Sequence, residues 1–560
     1  MLDDQEKLIE NSTDILELFG DYFASVFSEP CPLPTRLGGL DSEGDINIIL
    51  NYINEENVSE ILCNLNVNKS PGPDGIPNIV LKCANSVLTP YLTKLFKISV
   101  QGGQVPKDWK HATVVPIYKN GNLNKRENYR PVSLTSTVCK VLEKLVLNRL
   151  WYFISDRCPL NDSQFGFRTS RSCSSQLISY VDLLTKALDK GLCADVVYLD
   201  LSKAFDKVSH GKLMQKLNDR KIPTLLNQWI KSFLSDRTLS VVIQKQSSKI
   251  RRVTSGVPQG SILGPLLFLL YTDDVDNILC DLIKLYKFAD DMKLYYIFYP
   301  KESETDAHKP LQQCIDTLYG WCRENSLPLN LKKCCIVHFG SNNPCTTYHF
   351  EHQEIAKHSN ERDLGVIFDE RLTFQTHIDS VVNRARRLVS LMFRSFRTRS
   401  ENVIMPIYKT MIRPQLEYAS AVWNPYLLKQ VKQIESVQRY VTKRLINYSL
   451  LSYDARLLKI RLPSLKTRRD YFDLIGMYKI INKLSYAGQN IDISFLNRLS
   501  RGHAFRIRPS SYRLNARKSA LFVRAVNAWN VLPSYVVSEP DLTRFKFLLR
   551  QHLYACNLNV

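Results

Sequence analysis

The chain has 560 residues, 44% of them hydrophobic and 23% charged, with 75 Lys and Arg against 54 Asp and Glu for a formal net charge of +21. Such a length allows several domains around a sizeable core, and the composition excludes fibrous and wholly disordered classes. The acidic opening MLDDQEKLIE has no apolar signal-peptide core, and the longest apolar run, ILGPLLFLLY at 262–271, is about half of the ~20 residues a membrane span needs. An intracellular chain with no membrane partner is expected, without a choice between nucleus and cytoplasm.

Residues 1–60 read as amphipathic helices with polar breaks, among them ILELFGDYFASVF (15–27). NKSPGPDGIP (68–77) is a Pro/Gly/Asp loop rather than a linker, because a helical apolar pattern resumes directly after it. Short β-rich runs follow: ATVVPIY (112–118), DVVYLDL (195–201), LSVVIQ (239–244), LIKLYKF (282–288), MKLYYIF (292–298), CIVHFG (335–340) and LGVIF (364–368). Helical stretches such as SSQLISYVDLLTKALDKG (174–191) lie between them, an α+β alternation over roughly 70–370. From about 376 the pattern turns helical and basic. A polar, Arg/Ser-rich stretch near 490–520 then precedes a last apolar segment, FVRAVNAWNVLPSYVV.

Fourteen cysteines are scattered with no CxxC pair, and the neighbours Cys334 and Cys335 cannot chelate as a pair. The spacing of a zinc module is missing, so free thiols are expected. The charge is uneven. Residues 371–560 hold 33 basic and 10 acidic groups, whereas the first 370 hold 42 and 44. The excess predicts a polyanionic partner, nucleic acid, met mainly by the last third of the chain.

In YKFADDMKLYY, Asp290 and Asp291 interrupt an aromatic, strand-like run. Adjacent carboxylates repel each other and resist desolvation, so the pair is either an exposed turn or a metal site. Asp200 ends another β-rich run, DVVYLDL, on the strand face of Val196 and Tyr198. If the two strands are neighbours, three carboxylates cluster at one end of a sheet, hard oxygen donors of the kind Mg²⁺ prefers. Asp195 and Asp206 flank Asp200, and spacing alone leaves Asp206 as its competitor.

NKSPGPDGIP, ENYRPVSLTSTVCKVLEKLV, SQFGFRTSRSC, YLDLSKAFDKV, SGVPQGSILGPLLFLLY, YKFADDMKLY, LNLKKCCIVHF and ERDLGVIFDERLTF occur in that order. Together they resemble the reverse transcriptases of non-LTR (LINE-like, jockey-type) retrotransposons, over about 65–450. The resemblance implies a right-hand polymerase: fingers, an antiparallel-sheet palm, a helical thumb and a mainly helical basic C-terminal region. Its boundaries are drawn as an N-terminal helical extension (1–64), fingers and palm (65–370), thumb (371–450) and basic C-terminal region (451–560).

The resemblance also implies roles. Asp200, Asp290, Asp291 and the backbone carbonyl of Leu201 would hold two Mg²⁺ ions, with Mn²⁺ as a substitute, and Asp206 would be structural. Phe205 would lie under the incoming sugar and exclude a 2′-hydroxyl; the alternative is a core Phe behind the strand. Gln259 and Gly260, with Gly256 and Pro258, would hold the template base and nucleotide. Arg130 and Lys140 would clamp the triphosphate, and Lys333, or its neighbour Lys332, would protonate the leaving pyrophosphate. LGVIF would support the primer end. Tyr418, Trp423 and Trp529 are candidates to stack bases, although aromatic residues at helical spacing ordinarily serve as core.

The implied function is RNA-directed DNA polymerisation from deoxynucleoside triphosphates on an RNA template, extending a DNA primer or target. Its competitor is a catalytically silent nucleic-acid-binding remnant of a retroelement. A viral polymerase making RNA is opposed by Phe205. Only about 65 residues precede the first motif, too few for the endonuclease that members of the family commonly carry, so two expectations stand: the chain is a fragment, or its nick is made by an endonuclease in trans.

Overall fold

The computed structural model describes residues 1–2, 8–29, 41–300, 308–488, 493–496 and 503–556. The strand Cys193–Asp200 is the axis of its main sheet, which runs Ala356–Lys357, Cys335–Phe339, Cys193–Asp200, Asp291–Phe298, Ile283–Phe288 from edge to edge. All pairings are antiparallel except the edge pair, Ala356–Lys357 with Cys335–Phe339. Residues 193–199 are buried without a break, because both faces of the sheet are covered. Val197 and Leu199 enter one core, shared with the helices Thr137–Arg157, His210–Asp219, Thr224–Leu234 and Gly264–Thr272. Val196 and Tyr198 enter a second, shared with the helix Cys173–Asp189 and with helices of the last third of the chain. The expected α+β right-hand architecture is borne out.

A smaller sheet pairs His111–Tyr118 antiparallel with Tyr129–Leu134 and parallel with Arg237–Ile243. The helix Ser12–Ser25, capped by the Asn11 side chain, lies on it. Leu16, Phe19 and Phe23 pack on Val114, Leu239 and Val241, and Arg251 reaches Glu17 and Asp21 at 2.7 and 2.8 Å. In the last third, the helix Gln375–Ser395 buries Ile378, Val382, Ala385, Val389 and Met392 and exposes Arg386, Arg387 and Arg394. That spacing of four and three residues makes one apolar stripe and leaves the basic residues to solvent. Among the described residues no helix is long and apolar enough to cross a membrane.

NYRPVSL, to which the sequence reading gave no element, contributes a strand, Tyr129–Leu134, whose Pro131 is tolerated because the strand is an edge. Two readings of the sequence are corrected. LGVIF is not one strand. Leu364 and Gly365, at φ +44° and +88°, form the turn of a hairpin between Asn360–Asp363 and Val366–Asp369. Trp423 and Trp529 are buried and cannot stack bases, and the half-exposed Tyr418 donates its hydroxyl to the Leu364 carbonyl at 2.8 Å. Part of the Arg/Ser-rich stretch, 497–502, lies outside the described residues.

Lys293, buried beside the aspartate turn, forms an ion pair with Asp363 of the hairpin and lies 4.2 Å from the Tyr180 ring centroid. Removing one partner of such a pair strands the other charge, at a cost of about 3–5 kcal/mol, whereas an apolar pair of similar volume is close to neutral. Lys293→Met is therefore expected to lower denaturant stability by about that amount, and Lys293→Met/Asp363→Leu to recover most of it. An equal loss in both proteins would show that the ion pair is not what holds the hairpin.

Candidate active site

Asp200 is the last residue of its strand, and Asp291 the first of the next. In the register they stand directly opposite each other. Cross-strand partners of an antiparallel pair project to the same face with Cβ atoms about 4.5–5.5 Å apart. Asp290 occupies the two-residue connection with Ala289, since Phe288 pairs with Asp291. Two strands thus deliver three carboxylates to one sheet end. The crowding shows in their acidities. Asp290 is raised by burial and by Asp200, against Arg130 and Lys119. Asp291 is exposed, yet the protein packed around it and then Asp290, Asp363 and Asp200 push it up to about 6, with Lys293 opposing.

The turn is held under strain. Ala289 has φ +56°, a region unfavourable for a residue with a Cβ, costing of order 1–2 kcal/mol. Gln164 secures it: its Oε1 accepts from the Ala289 N–H at 3.1 Å and the Gly166 N–H at 2.8 Å. The segment 163–165 also pairs with Lys287 in both directions, Phe165 N–H to Lys287 carbonyl and Lys287 N–H to Ser163 carbonyl, each 2.8 Å. A Cβ on Gly166 would sit 2.5 Å from the Ala289 nitrogen, so only glycine permits this approach. SQFGF therefore clamps the carboxylate turn.

Asp291 lines one cleft, while Asp200 and Asp290 border a neighbouring one of about 720 Å³. Lys119, Arg130 and Lys333 line it, with the Lys333 ammonium 3.2 Å from Asp200. Phe205 stacks on Phe268, ring centroids 4.4 Å apart at 19°, and is fixed from behind while lining the cleft. The loop 255–260 closes over it: Val257 N–H bonds the Phe205 carbonyl and Ser133 N–H the Gln259 carbonyl, both at 2.8 Å. Gly260, at φ +114°, passes so near Ser133 that a Cβ would lie 2.4 Å from its carbonyl oxygen. Gln259 donates its amide to both oxygens of Asp206 at 2.9 and 3.0 Å, so Asp206 orients that amide.

Other expected residues are distributed unevenly. Leu201 bridges to Leu329 through bonds made by its neighbours, Asn330 N–H to Asp200 carbonyl and Ser202 N–H to Pro328 carbonyl. Its own carbonyl lies outside that ladder. Lys332 lines a neighbouring cleft, and of the two lysines it is Lys333 that pairs with Asp200. Lys140 is not brought to the main cleft. It lies in the first turn of the helix Thr137–Arg157, where burial lowers its basicity and Glu143, Lys69 and Asp74 are its charged neighbours. Asp195 is wholly buried at the opposite end of its strand, satisfied by His338, Asn343 and Tyr348 at 2.7–2.8 Å.

Sequence reasoning missed several contributors. Lys119 emerges from the opposite arm of the hairpin PIYKNGNLNKRENYRP that carries the expected Arg130, and that shared setting was the available signal. Gln164 sits in a motif whose register against Lys287 no local pattern reveals. Tyr22, Phe23 and Phe27, from a segment read as a mere extension, line the cleft, where the Tyr22 hydroxyl accepts from Lys203 Nζ at 2.8 Å.

Residues 117–368 match the family described as reverse transcriptase (RNA-dependent DNA polymerase), a span that contains all three aspartates. The chain is similar to RNA-directed DNA polymerases from mobile elements of the non-LTR retrotransposon kind. It is 28% identical over 417 residues to the RNA-directed DNA polymerase from mobile element jockey of Drosophila melanogaster, covering 72% of this chain and 45% of that one. Its identity to the jockey polymerase of Drosophila funebris is 30% over 404 residues, covering 70% and 43%. To the probable RNA-directed DNA polymerase from transposon X-element of Drosophila melanogaster it is 29% over 401 residues, covering 69% and 43%. The chain spans less than half the length of these relatives. The reverse transcriptase match begins after Tyr22 and Phe23, so those two cleft residues fall outside it.

Desolvation raises the Asp206 carboxyl from 3.8 to about 6, against Gln259 and Lys203. A carboxyl that holds its proton more tightly folded than unfolded stabilises most below its unfolded pKa, and that contribution fades as pH rises through its folded pKa. Asp206→Asn keeps an acceptor for Gln259 and removes the titration. Between pH 4 and 7 the variant should gain on the wild type by up to roughly 3 kcal/mol, at 1.36 kcal/mol per pKa unit, in unfolding measured at each pH. Parallel pH profiles would refute it.

Proposed function

We propose that this chain is an RNA-directed DNA polymerase that joins a primer 3′-oxygen to the α-phosphorus of a deoxynucleoside triphosphate on an RNA template and releases pyrophosphate. The observation that carries this reading is the Asp200–Asp291 register, with Asp290 beside it, facing a basic cleft under a fixed aromatic ring. Three clustered hard oxygen donors, two of which, Asp290 and Asp291, have their pKa raised by burial and by neighbouring carboxylates, fit a divalent cation, and the Leu201 carbonyl, outside its ladder, offers a fourth. Two Mg²⁺ ions, or Mn²⁺ in their place, would supply Lewis-acid stabilisation of the in-line displacement there.

The chain's own residues do the rest. Lys119 and Arg130 offset the charge of the triphosphate, a positioning and electrostatic task. Lys333 is placed to give a proton to the departing pyrophosphate oxygen, and its tie to Asp200 holds it at the carboxylates until then. The Phe205 ring, backed by Phe268, leaves a 2′-hydroxyl neither space nor a hydrogen-bond partner, which favours deoxynucleotides. Gln259, aimed by Asp206, presents its amide to the nascent base pair. The exposed Arg386, Arg387 and Arg394 offer phosphate contacts to the template–primer duplex, favouring affinity over sequence reading.

On poly(rA)·oligo(dT) with Mg²⁺, the wild-type chain should incorporate dTTP, and Asp290→Asn/Asp291→Asn should lose incorporation by at least about a thousandfold. Nucleic-acid binding without extension by the wild type would instead favour a silent remnant, and equal incorporation by both proteins would remove the aspartates from the chemistry. Phe205→Val should raise ribonucleotide incorporation relative to deoxynucleotide, measured as the ratio of kcat/KM values. An unchanged ratio would remove the sugar filter.

A further inference from the structure

Apart from the three aspartates, a second set of ligating side chains meets at the outer edge of the main sheet. Cys335 Sγ lies 3.2 Å and His358 Nδ1 2.9 Å from the same Glu361 oxygen, Oε2. One ligand atom from each residue falls within 4.8 Å of the other two. We propose that Cys335, His358 and Glu361 bind a zinc ion, with the fourth position open to water.

The donor set carries the choice of metal. Thiolate, imidazole and carboxylate together suit a borderline-soft cation, whereas Mg²⁺ takes oxygen donors and keeps its waters. With Zn–S about 2.3 Å and Zn–N or Zn–O about 2.0–2.2 Å, tetrahedral ligand atoms stand about 3.3–3.6 Å apart. The two separations from Glu361 need to open by only a few tenths of an ångström, and the sulfur and the imidazole nitrogen already lie within 4.8 Å of each other. A thiolate and a carboxylate also cancel the charge of a dication. Without metal, burial and the Glu361 carboxylate hold Cys335 as the thiol, so coordination replaces its S–H bond with an S–Zn bond and releases one proton to solvent.

The backbone is arranged to hold the set. Cys335 is buried in the sheet opposite Tyr198. Its other neighbour is Ala356 of the short parallel edge strand, after which the His358 N–H bonds the Ile336 carbonyl at 2.9 Å. Glu361 returns on the first arm of the hairpin, opposite Phe368. His358 is exposed and Glu361 partly so, which gives an ion a way in to the buried sulfur. The ligands are separated in sequence by 22 and 2 residues, far from the spacing of a zinc module, which is why the sequence reading found none. A bound ion would fasten the sheet edge to the hairpin whose Asp363 pairs with Lys293, two residues from Asp291.

Cobalt(II) tests this on the purified full chain, because a thiolate ligand gives a near-ultraviolet charge-transfer band that cobalt on the aspartates does not. The wild type should develop the band with one equivalent of Co²⁺ and lose it to Zn²⁺, and Zn²⁺ should raise the unfolding temperature relative to chelator-treated protein. Cys335→Ser should abolish the band, and Cys345→Ser, an exposed cysteine outside the set, should leave it. The surface variants His358→Ala and Glu361→Gln, which spare the buried strand, should each weaken Co²⁺ binding by roughly tenfold or more, the least that loss of even an outer-shell partner costs. No band in the wild type, a band surviving Cys335→Ser, or unchanged affinity in both surface variants would overturn the site. Polymerisation is not read, so failure here is separate from failure of the polymerase assignment.

Discussion

Everything in the cleft depends on a repulsion that the fold does not relieve by itself. Asp200 and Asp291 are forced face to face by the register of two buried strands, and Asp290 follows one residue before. A slip of one residue would turn each strand's inward set outward, and the cores on both faces forbid it: Val197 and Leu199 belong to one, Val196 and Tyr198 to the other. Apolar packing over the whole sheet therefore enforces an electrostatically unfavourable arrangement at its end. Local backbone strain at Ala289, pinned by Gln164, belongs to the same economy. Such conflicts between local preference and global fold are where function is usually found.

The apolar periodicity of the chain made its α+β class and most strands legible, since runs such as DVVYLDL and MKLYYIF are short, β-branched or aromatic, and bounded by turn residues. Alternation also put Asp200 on the face of Val196 and Tyr198, as found. The partnership of Asp200 with Asp291 was only conditional, because nothing in one strand's sequence names its neighbour. Physics alone left Asp206 as a rival to Asp200, and Asp206 turns out to face Gln259. What escaped notice was non-local. Gln164 acts through a register against Lys287, and the Cys335–His358–Glu361 set is assembled by an edge strand of two residues too short to read. Lys140 is the opposite case: a basic residue in a suggestive motif that does not line the cleft and has Glu143 as a charged neighbour.

The two clefts share a boundary. Asp200 and Lys333 line both, one cleft opening toward Phe205 and Gln259, the other toward His358, Glu361 and Asp363. Lys293 ties the hairpin beneath the second cleft to the strand that begins at Asp291. The two sides of the site are joined through that buried ion pair.

The helix Ser12–Ser25 carries a consequence for how the molecule is made. Its contacts reach far along the chain: Arg251 to Glu17 and Ser28 to Ser255 span 234 and 227 residues. Phe19 and Phe23 leave the ribosome long before Leu239 and Val241 exist to cover them. One wall of the cleft is thus synthesised first and docked late, and closing so long a loop is a slow step that leaves apolar surface open to wrong partners meanwhile. The order of synthesis and the order of assembly run in opposite directions across the site.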